Sequence, residues 1–107
     1  MSKVTLTYKK NDYTLEYNRQ TIKTMESQGF VLDEVTAKPA TMLPMLFSGA
    51  FYKNHRGIKR NLVDEIFEEL KGKNDLMQLL MEMYAETLSS LISDDEEKGN
   101  VTWARVD

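Results

Sequence analysis

Between Leu76 and Ile92 the chain repeats apolar side chains at helical spacing: Leu76, Leu79, Leu80, Met83, Tyr84, Leu88, Leu91 and Ile92, with Thr87 the polar exception. Met77 and Met81 widen the stripe. At about 25 cal/mol per Å² of apolar surface, leaving eight such side chains in water would cost on the order of 10 kcal/mol, as much as the net stability of a domain. Other elements or a second chain must therefore cover this helix, and the rest of the chain is read as its cover.

The N-terminal region supplies the first candidates. Val4, Leu6 and Tyr8 alternate with Thr5 and Thr7, and the alternation resumes through Tyr13, Leu15 and Tyr17. This pattern predicts a β-hairpin over residues 3–17. Its connection, Lys9-Lys10-Asn11-Asp12, has no Asn-Gly pair, so a four-residue loop is expected. A short helix over about 18–28 should follow. Asn18 suits its N-cap, Tyr17 can pack on Ile22, and Gly29 sits where a left-handed residue ends a helix, with Phe30 folding back on Met25. The next segment, Phe30 to Val35, reads as a connector and not a third strand.

A second helix is expected over 41–54, with Pro44 in its first turn, where a missing amide costs least. Leu43, Leu46, Phe47, Ala50 and Phe51 form one face, and Met42, Met45 and Tyr52 extend it around the cylinder, which marks a central helix. Gly49 in its interior costs about 1 kcal/mol relative to alanine and points to a close approach or a kink. A third helix over 61–71 is capped by Asn61 and ended by Gly72, with Leu62, Val63, Ile66, Phe67 and Leu70 inward. The long helix then spans 75–92. Short links make antiparallel neighbours. The expected fold is α+β: an N-terminal β-hairpin and short helix packed on a C-terminal three-helix bundle, one domain over 1–92. Residues 93–107 read as an acidic, mobile tail, Asp94-Asp95-Glu96-Glu97, ending in an apolar stretch with Val101, Trp103 and Val106. That stretch docks on its own domain or adds a strand to the hairpin edge, or else captures a partner by strand addition or by anchoring Trp103 in a pocket.

The 107 residues carry no cysteine, a single histidine and a net charge of -3. No thiolate metal site or cysteine nucleophile can be built, and His55 alone supports neither a two-histidine metal site nor a relay through a second imidazole. The carboxylates follow a helix face or a charge run, and the glycines are dispersed, with no phosphate-binding loop. No enzyme, cofactor or metal is expected. The N-terminus lacks an apolar signal core and no run is long enough to span a bilayer, so a cytoplasmic protein is expected. Lys53, His55, Arg56, Lys59 and Arg60 cluster in one loop that could hold nucleic acid or an acidic partner, an alternative that makes the chain a small regulator.

The order LPMLFSGAFYKNH, then DEIFEELK, then LMQLLMEMYAETLSSL between Met42 and Ile92, preceded by MESQGF, resembles small tail-assembly chaperones of long-tailed bacteriophages and prophages. The resemblance covers about half the chain and lies in hydrophobic pattern and order. It implies a non-enzymatic protein that binds the tape-measure and tail-tube proteins while tail subunits polymerise, with a homo-oligomer as a further expectation. Phe47, Phe51, Met77, Met81 and Trp103 are then the expected contact residues.

Overall fold

A computed structural model describes residues 3–91, 101 and 103–106. Ile92 and the acidic run 93–100, expected as the last helical residue and a mobile tail, lie outside the described residues. The fold is α+β, a two-stranded antiparallel hairpin followed by four helices.

Strands β1 (Val4–Tyr8) and β2 (Asn11–Leu15) pair from Val4 with Leu15 to Tyr8 with Asn11. The connection is therefore two residues, not the expected four. Lys9 and Lys10 both take positive φ, 49° and 68°, the pattern of a type I′ turn whose twist matches that of the flanking strands. Left-handed backbone costs a non-glycine residue about 1–2 kcal/mol. Interactions at the hairpin tip offset that cost. Thr7 Oγ1 donates to Asp12 Oδ1 at 2.7 Å across the strands, and Lys9 pairs with Glu65 at 3.2 Å. The Tyr8 hydroxyl lies against Glu65 and Glu69, donating its single hydrogen to one of them at a time. The Tyr8 hydroxyl, ahead of Lys9, holds the Glu65 carboxyl below its ordinary range.

Helix α1 (Arg19–Ser27) is delimited by local chemistry at both ends. Asn18 and Thr21 form a reciprocal capping box, each side chain accepting from the other's backbone N–H at 2.8 Å. At the other end Gly29, at φ 98°, donates to Glu26, and Phe30 donates to Met25, the Schellman pattern. The connector after it contains a single 3-10 turn, Leu32–Glu34.

Helix α2 (Pro39–Gly49) starts and ends earlier than its hydrophobic pattern suggests. Pro39 occupies its first position, where a missing N–H and a fixed φ are favourable, so Pro44 stands in the helix interior and not in the first turn. Beyond Gly49 the chain continues in turns to His55, whose N–H donates to Phe51 O at 2.8 Å. Helix α3 (Arg60–Glu68) is preceded by Lys59, not capped by Asn61, and stops before Gly72. Glu65 and Glu68 in its last turn oppose the helix dipole, and among the described residues the only basic partner of either is Lys9 of the hairpin turn, on Glu65. Gly72 instead takes the left-handed conformation, φ 62°, that launches α4 (Lys73–Ser90).

The core lies around α2, which packs on α1, α3, α4 and the 3-10 turn, while α1 also packs on α4. The organising element is thus α2 and not the long helix. Leu46, Phe47, Ala50 and Phe51 are fully buried there, and the buried Tyr17 donates its hydroxyl to Leu46 O at 2.6 Å. Gly49 marks a close approach and not a kink: a Cβ there would overlap the buried Met25 side chain of α1. On α4 the buried face is Met77, Leu80, Met83, Tyr84 and Thr87, so the stripe is rotated from the one expected, and Leu79 and Leu91 are exposed.

Candidate interaction surface

The residues expected to meet a partner separate into two groups. Phe47, Phe51 and Met77 are core residues and are corrected as contact candidates: Phe47 lies edge-on to Phe51 at 5.1 Å and tilted against Phe67 at 5.4 Å. Their spacing marked them as apolar, and burial by α2's neighbours removed them from the surface. Met81 is half-buried at the edge of the core, and Trp103 is 88% exposed.

The basic loop is largely engaged within the protein. His55 Nε2 accepts from the Thr14 N–H at 2.9 Å, with its ring edge-on to Tyr13 at 5.2 Å. Asn54 donates to Thr14 O at 3.3 Å and to Glu16 Oε1 at 2.9 Å, and Lys53 pairs with the same Glu16 oxygen at 3.2 Å. Glu16 is buried, and burial alone would raise its pKa; the Asn54 hydrogen bond, ahead of Lys53, instead holds the carboxyl below its ordinary value. Arg60 pairs with Asp64 at 3.5 Å within α3. Arg56 and Lys59 remain exposed on this loop. Lys53, Asn54 and His55 thus clamp the end of the α2 segment onto the outer edge of β2. The hydrogen bond to Nε2 requires that this nitrogen carry no proton.

Two accessible apolar features lie elsewhere. The first is a groove of about 390 Å³ between the α1 to 3-10 connection and the C-terminal half of α4. Phe30 and Tyr84, in edge contact at 4.9 Å, form its floor, Val31, Leu32 and Leu88 its walls, and Glu26 and Asp33 its acidic rim. Burial, ahead of the Glu26 carboxylate, pushes the Tyr84 hydroxyl up to about 12, so it stays a neutral donor at physiological pH. Val31, 45% exposed, has no sequence signal because one apolar residue in a connector carries no periodicity, whereas Leu88 belongs to the apolar stripe of the long helix. The second feature is the C-terminal segment, where Val101, Trp103 and Val106 are 89%, 88% and 93% exposed. Its described residues form neither helix nor strand and are exposed.

Among the described residues no group of three or more His, Cys, Asp or Glu side chains could hold a metal ion. No helix among them is long and apolar enough to cross a membrane. The features on display are those of a small α+β domain with exposed apolar side chains. The chain belongs to the family described as a domain of unknown function, DUF5055, whose model matches residues 1–106. No curated protein and no solved structure matches it.

Proposed function

We propose that this protein is a non-enzymatic tail-assembly chaperone of a long-tailed bacteriophage or prophage, acting in the host cytoplasm by holding the tape-measure protein, tail-tube subunits or both until the tail is built. The observation that carries this reading is the near-complete exposure of Val101, Trp103 and Val106 on a chain whose other aromatic side chains are all buried or half-buried. A chaperone of this kind needs apolar surface that engages transiently, and a lone tryptophan flanked by valines supplies a large anchor at little conformational cost. The groove between Val31 and Leu88 offers a second apolar contact on the domain itself. The pattern resemblance between Met42 and Ile92 supports the same assignment. The intramolecular pairing of Lys53, His55 and Arg60, together with the net charge of -3, weighs against a nucleic-acid role for the basic loop.

The test is co-expression of the full chain with the tape-measure and tail-tube proteins encoded beside its gene, followed by affinity capture. One or both are expected to be recovered with the wild-type chain, and recovery should fall at least tenfold for Trp103→Ala. Recovery of neither by the folded wild-type protein would overturn the assignment.

A further inference from the structure

The groove between α1, the 3-10 turn and α4 is floored by two rings that are themselves buried, Phe30 and Tyr84, each 2% exposed. Tyr84 is braced by two neighbours, edge-on to Phe30 at 4.9 Å and to Tyr17 at 5.5 Å. Its hydroxyl is the exception to this enclosure. Tyr17 donates its hydroxyl to Leu46 O, and Tyr52 donates to Gln28 at 3.1 Å, whereas the Tyr84 hydroxyl has no hydrogen-bond partner among the described residues. Every side-chain nitrogen or oxygen sealed from water among those residues has a partner, so the Tyr84 oxygen keeps access to solvent through the groove that it lines. A phenol left without a partner at the bottom of an apolar groove is a position prepared for a polar group from outside.

The rim sets the charge of that group. Glu26 in the last turn of α1 and Asp33 in the 3-10 turn are exposed, and neither carboxylate has an ion-pair partner among the described residues. Glu26 is close enough to act on the Tyr84 hydroxyl electrostatically, second only to burial. An apolar ligand alone would strip water from these groups and return nothing. A polyamine would match the charges but leave Val31, 45% exposed, and Leu88 uncovered.

We propose that this groove binds a partner's peptide segment in which one large apolar side chain lies between two basic ones. The apolar side chain covers Val31 and Leu88 above the aromatic floor. One cation donates to Glu26 and to the Tyr84 oxygen, and the other pairs with Asp33. The volume of about 390 Å³ lies at the lower end of the roughly 300–1,000 Å³ of ligand clefts, room for such a segment and not for a folded domain. This inference goes beyond the tail-assembly reading and is independent of it, since it stands on the chemistry of the groove.

Titration of the full chain with the capped tripeptide Lys-Phe-Lys, followed by backbone amide NMR, tests it. Saturable shifts are expected at Val31, Leu32, Asp33 and Leu88. Replacing the phenylalanine of the peptide by serine, or both of its lysines by glutamate, should weaken binding at least tenfold. Tyr84→Phe removes the hydroxyl without breaking a hydrogen bond among the described residues, so the thermal midpoint should hold while binding falls about three- to tenfold. Glu26→Gln should weaken it at least as much, and because Glu26 is exposed this variant decides the matter should Tyr84→Phe fold poorly. Absence of binding, equal binding of the serine or glutamate peptide, undiminished binding to Glu26→Gln, or shifts centred on Asp64 and Glu68 would each overturn the proposal. Two further outcomes would overturn it by giving the groove another occupant. Groove signals that move with protein concentration alone would assign it to a second copy, and groove signals that move in Trp103→Ala without peptide would assign it to the C-terminal segment of the chain itself.

Discussion

Helices α2 and α4 are both apolar over most of their circumference, yet the protein uses them differently. The eleven residues of α2 lie at the centre, with Leu46, Phe47 and Gly49 enclosed by α1, α3 and α4. The eighteen residues of α4 bury one rotated face and leave Leu79 40% and Leu91 46% exposed, while Tyr84 and Leu88 line an open groove. Hydrophobicity along a helix sets how much cover it demands. Its neighbours decide whether that demand is met inside the domain or left for a partner, and here each helix buries five residues, out of eleven in α2 and eighteen in α4.

Three substitutions break or sharpen this contrast. The largest effect is expected at the centre of α2, where Phe47→Ala deletes a fully buried ring held against Phe51 and Phe67. Chemical denaturation should show a loss of about 3–5 kcal/mol. A loss under 1 kcal/mol would mean that α2 is not the centre of the core.

A smaller effect is expected at the clamp that ties the end of the α2 segment to β2. Glu16→Gln replaces a buried carboxylate that accepts from Asn54 and pairs with Lys53, and should cost about 1.5–3 kcal/mol at neutral pH. The pH dependence has a definite sign. Because the folded carboxyl lies below its ordinary value of 4.5, its contribution is present above that value and disappears as pH falls through the folded one. Wild-type stability should therefore decline on the acid side more steeply than that of Glu16→Gln. Parallel acid profiles in urea titrations would show that Glu16 contributes nothing through its charge.

The smallest effect is expected on the outer face of α4. Leu79→Ser should cost about 1 kcal/mol, well below Phe47→Ala, because Leu79 is already 40% exposed. A fall in thermal midpoint comparable to that of Phe47→Ala would place Leu79 in the core and erase the difference between the two helices.

What could be read from the chain follows the range of the interactions concerned. Asn18, Thr21, Gly29 and Phe30 delimit α1 through hydrogen bonds that span a few residues, and their identities announce it. The alternation through Val4, Leu6 and Tyr8 likewise marks a strand with one half-buried face. The hairpin turn was not legible, since Lys9 and Lys10 carry no preference for positive φ and are held there by a tip that docks on Glu65 of α3 and on Glu69 just after it. Asn61 and Gly72 have the right chemistry for a cap and a stop, but packing shifted the helix ends away from them. At the surface, Trp103 stood out as the lone tryptophan after an acidic run, whereas the groove joins Val31 to Leu88, residues far apart in the chain.

The amino-acid sequence by itself determined the α+β class, the local boundaries of α1 and the presence of more apolar surface than one helix can hide, because these depend on side-chain type and short-range spacing. Only the tertiary structure decided that α2 takes the centre, that Lys53, Asn54 and His55 close the β2 edge, and that Phe47 and Phe51 belong to the core while Trp103 faces water. Those outcomes depend on which distant elements meet, and no local preference specifies the partner.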